Sequence, residues 1–259
     1  MPVFAANLTM LFNEVPFMER FARAAEAGFR FVEYLFPYDY PALDLKAQLD
    51  RHGLRQVLFN LPAGDWARGD RGIASDPARV EAFRAGVAQA VDYALALGVG
   101  QVNCLAGKRV PGVTDAAHLE TLAGNLKHAA RELAGHGLRL LVEPINHFDI
   151  PGFLLNRSDQ ALALLDAVGE PNVFLQFDVY HAQREEGELA ATLRNHLARI
   201  GHIQVADNPG RHQPGTGEIN YPFLFAEMDR LGYRGHVGLE YIPSPDTASS
   251  FGWMKEERS

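Results

Sequence analysis

Short apolar runs alternate along the chain with longer stretches in which apolar residues recur every three or four positions. The clearest run is Leu138-Arg139-Leu140-Leu141-Val142, which is entered from Gly137 and stops at Glu143. Pro144 then ends sheet pairing, because it has no N–H to donate. Such a run reads as a strand buried on both faces, as a parallel sheet requires. The pattern returns three times: Asn172 to Phe177 stops at Asp178, Gly201-His202-Ile203 leads to Gln204, and Gly235 to Leu239 stops at Glu240. These tips are 35, 26 and 36 residues apart. That is about one strand-plus-helix unit each (roughly 30 residues if ~250 residues make eight units).

The same alternation extends over the whole chain. Val3 to Asn7 predicts a first strand, and Pro16 opens a helix with Phe17, Phe21, Ala24 and Ala25 on one face. Phe29 to Tyr34 is a second strand, Leu43 to His52 a helix, and Leu54 to Phe59 a third strand. Asp76-Pro77 caps a helix with Val80, Phe83, Val87, Val91, Ala94 and Leu95 as its stripe. Gln101 to Cys104 is a fourth strand, followed by a helix carrying Leu119, Leu122, Leu126, Ala130 and Leu133. Further helices are predicted from Ser158 to Val168, Glu188 to Arg199 and Pro222 to Leu231. Eight strand candidates alternating with helices predict an α/β fold, a single (β/α)8 barrel over residues 1–259. An open doubly wound sheet is the alternative, but the first strand lacks the glycine fingerprint that such folds use for dinucleotides. After Tyr241 the tail looks irregular, with Phe251 and Trp253 placed to tack it down.

Composition narrows the partners. The 259 residues are 47% hydrophobic, enough for one large core, and carry a formal charge of −8. An acidic chain without a Lys/Arg run is a poor ligand for a nucleic-acid backbone. No apolar run approaches the ~20 residues of a membrane helix. The N-terminus has no basic region ahead of its apolar residues, so it does not read as a signal peptide. A single cysteine, Cys104, excludes an internal disulfide and reads as a small core residue. A cytoplasmic location is the expectation.

Glu143, Asp178, Gln204 and Glu240 would converge at one mouth of a barrel, where barrel active sites are built. With Gln204 using its carbonyl, all four offer oxygen, a set suited to Mg2+ or Mn2+ rather than zinc. Three carboxylates would also repel one another without a cation. Strand-end carboxylates serve elsewhere as helix caps or partners of Arg and Lys; four oxygen-bearing tips in consecutive units favour a metal site. His147 and His181 follow in the exit loops beside the proposed ion. Lys108 and Arg211 could each hold a substrate carboxylate. The longest irregular stretch, Asn60 to Ser75, leaves the third strand on the same side and carries Trp66 and Arg71. Long loops of this kind are usually functional, which suggests a lid; the alternative is a surface excursion with Trp66 packed beneath.

The strand tips, with His202-Ile203-Gln204-Val205-Ala206-Asp207 and Pro214-Gly215-Thr216-Gly217-Glu218-Ile219, resemble the xylose-isomerase-like barrel superfamily. The loop from Phe59 to Gly69, taken with Gln204, is similar to the hydroxypyruvate isomerase family within it, and 2-oxo-tetronate isomerases look very similar. The resemblance implies a metal on Glu143, Asp178, Gln204 and Glu240, with Glu143 and Glu240 as proton carriers. It implies interconversion of hydroxypyruvate and 2-hydroxy-3-oxopropanoate through an enediolate, with His147, His181, Lys108, Arg211, Trp66 and Arg71 around the substrate. Gln204 departs from the histidine of ketose 3-epimerases, which argues against that activity. The superfamily's apurinic-site endonucleases need more histidine ligands, for several zinc ions, where this chain offers Gln204 and a charge of −8. A non-catalytic sugar-acid binder is the third class. The expected partner is a small hydroxy-keto acid, not nucleic acid or membrane, and a homo-oligomer is compatible with the chain.

Overall fold

The computed structural model describes residues 2–256, with side chains through Met254. Eight strands form one parallel sheet: β1 (Val3–Asn7), β2 (Phe31–Glu33), β3 (Arg55–Leu58), β4 (Gln101–Cys104), β5 (Arg139–Val142), β6 (Val173–Asp178), β7 (Ile200–Val205) and β8 (His236–Leu239). Their order is β3-β2-β1-β8-β7-β6-β5-β4, with β1 beside β8, so the ribbon has curled round on itself. It closes just beyond the end of β3. Asn103 N–H donates to Phe59 O at 2.9 Å, and Leu61 N–H donates to Asn103 O at 2.8 Å. The expected barrel is therefore present, closed between β3 and β4 by that short bridge.

The principal helices are α1 (Arg20–Glu26), α2 (Ala42–His52), α3 (Val80–Leu97), α4 (Asp115–Ala134), α5 (Ser158–Val168), α6 (Val179–Glu185), α7 (Leu189–His196), α8 (Tyr221–Arg230) and α9 (Trp253–Glu256). Gly53, Gly98 and Gly169 close α2, α3 and α5 in the left-handed conformation that only glycine adopts cheaply. The main core lies between the helices and the barrel wall. A second, smaller cluster of Ala5, Val57, Leu58 and Leu141 comes from strands alone and lies inside the barrel.

Three expectations shift. Leu95 and Leu119, placed on inward stripes, are exposed, while Leu97 is buried at the end of α3. The helix predicted from Glu188 to Arg199 is α7 followed by a separate 3-10 turn, Leu197–Arg199. The segment after Asp178, read as an exit loop, is α6; its seven residues are too few for a periodic stripe to show in the sequence. The tail is held as expected. Phe251 packs against Phe12 and Phe29, and Trp253 against Phe4 and Phe225. No helix among the described residues is long and apolar enough to cross a membrane.

Candidate active site

Side chains alternate along a strand, so residues two apart share a face. Glu143 stands two residues past Leu141 of the inner cluster, and Glu240 two past Gly238. Both thereby point into the barrel mouth beside Asp178. One oxygen each of Glu143, Asp178 and Glu240, and one ring nitrogen of His181, lie within 4.8 Å of one another, and all four residues are buried. His181 arrives there because α6 starts directly on Asp178. The Asp178 Oδ1 caps that helix, accepting from Tyr180 N–H at 2.8 Å and His181 N–H at 3.4 Å. Its Oδ2 is buried and has no hydrogen-bond partner among the described residues. Asp178 is thus a cap on one oxygen and an acceptor without a hydrogen bond on the other.

Such crowding of buried carboxylates is costly. Burial, then Glu240 and Asp178 close by, hold the Glu143 carboxyl well above its usual range, although Asn103 donates to it at 2.9 Å. Burial also raises Asp178, against the pull of Arg211. Glu240 is pushed up to about 8 by burial, with Asp178 and Glu33 adding to the rise and Arg211 opposing it. Arg211 comes from the loop after β7, in left-handed backbone (φ 54°). Its Nη2 lies 2.6 Å from Glu240 Oε2 and 4.0 Å from Asp178 Oδ2, and its Nη1 3.6 Å from Asp149 Oδ2.

Gln204 is fully buried and pairs in register with Asp178 on one side and Gly238 on the other. Its Oε1 accepts from Gln176 at 2.6 Å, and its Nε2 donates to Glu33 Oε1 at 2.8 Å. The carbonyl oxygen therefore keeps one lone pair. The remaining candidates make other contacts. His147 is half exposed at the rim, with Nδ1 2.7 Å from Glu185. Lys108 Nζ donates to Gly69 O at 3.5 Å. Trp66 is 40% exposed, against the Phe36 ring and beneath the Arg71 guanidinium at 4.0 Å. Arg71 itself donates to the carbonyls of Trp66 and Asp70. The loop that carries them is laced internally: Asp70 accepts from Asp65 N–H at 2.7 Å and pairs with Arg79 at 2.8 Å.

Several polar residues, all but Asp149 buried, were not singled out in the sequence. Asn103 serves Glu143. Asn7 donates to Glu33 at 3.0 Å, and Glu33 also meets His202 Nε2 at 2.7 Å. Asn146 contacts His181, and Asp149 pairs with Arg184 as well as Arg211. A signal existed for three of them: Asn7, Glu33 and Asn103 sit at or next to the ends of β1, β2 and β4, as the recognised four do on later strands. Cys104 is the core residue expected; burial pushes its thiol up to about 12.

Against known proteins, a family profile described as xylose isomerase-like TIM barrel matches residues 21–257. The chain belongs to that family. Hydroxypyruvate isomerase of Escherichia coli is 51% identical over 255 residues, covering 98% of this chain and 99% of that protein. The 2-oxo-tetronate isomerase of Cupriavidus necator is 48% identical over 256 residues, covering 98% of each. A crystal structure titled AP endonuclease, family 2, from Brucella melitensis superposes with a TM-score of 0.96 at 45% identity, over 99% of both chains. Within the xylose isomerase-like family this chain is therefore hydroxypyruvate isomerase-like, as its strand tips and its Phe59–Gly69 loop led one to expect.

Proposed function

We propose that the protein is an aldose–ketose isomerase that interconverts hydroxypyruvate and 2-hydroxy-3-oxopropanoate. The observation that carries this is the buried convergence of Glu143, Asp178 and Glu240 with His181 at the barrel mouth. Two carboxyl groups, Glu143 and Glu240, flank one point, the geometry needed for moving a proton between adjacent carbons. Nearly equal identity to a 2-oxo-tetronate isomerase makes that longer keto acid the second candidate substrate.

The residues fit a divalent cation. Asp178 Oδ2 is a buried acceptor without a donor, and three carboxylates crowd a site that one positive charge would relieve. Glu143, Asp178 and Glu240 would hold Mg2+ or Mn2+, with Gln204 offering its remaining carbonyl lone pair from β7. When bound, the cation supplies Lewis-acid stabilisation of negative charge building on substrate oxygens.

The chain's own groups do the rest. One of Glu143 and Glu240 takes the proton from C3 of hydroxypyruvate, leaving the enediolate. The other returns a proton at C2, and the hydroxyl proton passes from O3 to O2, so the product is an isomer with nothing gained or lost. Arg211, which lies among the carboxylates, would take the substrate's carboxylate. The loop bearing Trp66 and Arg71 would keep water from the enediolate. A nuclease reading is disfavoured by the single histidine in the cluster and by the net charge of −8.

Turnover of a panel of small 2-keto and 2-hydroxy acids, with Mg2+, Mn2+ or chelator and products identified by NMR, tests the reading directly. Glu143→Gln and Glu240→Gln should each abolish turnover in a folded protein. Near-normal activity in either variant would remove the proposal.

A further inference from the structure

Asn146 is fully buried, three residues past Glu143, between β5 and α5. Its side chain has two ends, and the structure commits both. Oδ1 accepts from Asp149 N–H at 2.9 Å. That bond fixes which way the amide faces, because a carboxamide NH2 there would set donor against donor. The NH2 end therefore points the other way, where it meets His181 Nδ1 at 2.6 Å. An amide NH2 only donates, so Nδ1 must accept and carries no proton. The proton of the neutral ring is then on Nε2, and Nε2 is the atom directed at the carboxylates, 3.7 Å from Asp178 Oδ2.

This bears on what His181 does. Its ring nitrogen lies close enough to the three carboxylates to count as a fourth ligand. A ligating imidazole, however, must present a lone pair, and an Nε2–H presents a proton instead. We propose that Asn146 is a positioning residue that holds His181 as the Nε2–H tautomer, so that the imidazole faces the site as a neutral hydrogen-bond donor and is not a ligand of the cation. On the isomerase reading, on which this last step rests, the donor is aimed where oxyanion charge develops on the substrate. A fixed neutral imidazole stabilises such charge without giving up its proton.

The test is 15N NMR of the full-length protein labelled at histidine, with His181 assigned by substitution. Near neutral pH, Nδ1 should be unprotonated and Nε2 protonated, both in chelator and with saturating Mg2+, saturation being confirmed by a shift in Tm. A proton on Nδ1, or loss of the Nε2 proton on adding Mg2+, would overturn the proposal. Asn146→Asp preserves the acceptor for Asp149 N–H and replaces only the donor facing His181. In that variant Nδ1 should gain a proton; an unchanged ring spectrum would show that Asn146 does not set the tautomer. Turnover is judged separately. The predicted spectrum without turnover would remove the isomerase reading and leave the tautomer assignment standing, and the reverse spectrum in an active enzyme would do the opposite.

Discussion

Stripping the cation should make this protein less stable as the pH rises. Glu143, Asp178 and Glu240 all bind their protons more tightly in the folded chain than in the unfolded one. Between the two proton affinities the folded state holds protons that the unfolded state has released, so stability falls with increasing pH. For Glu240 the affinity rises from 4.5 to about 8. Its contribution is full below pH 4.5 and is lost as the pH passes through about 8. At ~1.4 kcal/mol per pH unit, that interval bounds the loss at ~5 kcal/mol. This is a large fraction of the ~5–15 kcal/mol that holds a typical domain together. A bound cation requires the ionised carboxylates and expels their protons, so it should remove most of the dependence.

The assay is denaturant unfolding across that pH interval, in chelator and in saturating Mg2+ or Mn2+. The stability gap between the two should widen with pH. Buried His181, whose proton affinity is lowered, contributes the opposite slope as the pH falls below 6.5. Glu240→Gln isolates the carboxylate part: its metal-free stability should depend on pH less steeply than that of the parent. Calorimetric titration of the cation in two buffers of different ionisation enthalpy should detect proton release. Metal-free stability that is flat or rises over the interval in the parent, with the same slope in Glu240→Gln and no proton release, would refute the electrostatic account of the site.

Other outcomes follow from the shell around the carboxylates. A Cβ at Gly238 would sit 2.2 Å from Glu33 Oε1, and Glu33 is held by Asn7, His202 and Gln204. Gly238→Ala should therefore cost ~1–3 kcal/mol in denaturant unfolding, as overpacking does; parent-like stability would show that Glu33 moves freely. Asp207 accepts from the N–H groups of Asn208, Gly215, Gly217 and Ile219, and so folds the loop that presents Arg211. Asp207→Ala should destabilise by ~1–3 kcal/mol through unsatisfied backbone donors. If Arg211 holds the substrate carboxylate, KM should rise more than kcat falls, and steady-state kinetics on the two proteins would show an unchanged KM if it does not.

The alternation of short apolar runs with periodic stretches, over a chain of this length, predicted the barrel, because strands covered by helices need an apolar outer face at regular intervals along the chain. The same runs marked Glu143, Asp178 and Glu240, since a carboxylate that ends an apolar strand stands out against its neighbours. Tertiary structure decided the rest. It brought His181 into the cluster by starting α6 on Asp178, turned His147 outward to Glu185, and tied the Gln204 amide to Gln176 and Glu33. It also gave Asn146, Asn103 and Glu33 their partners, which lie 35, 40 and 169 residues away in the chain for His181, Glu143 and His202. Strand periodicity fixes which way a side chain points; only closure of the barrel fixes what it meets, because those partners come from other strands and loops.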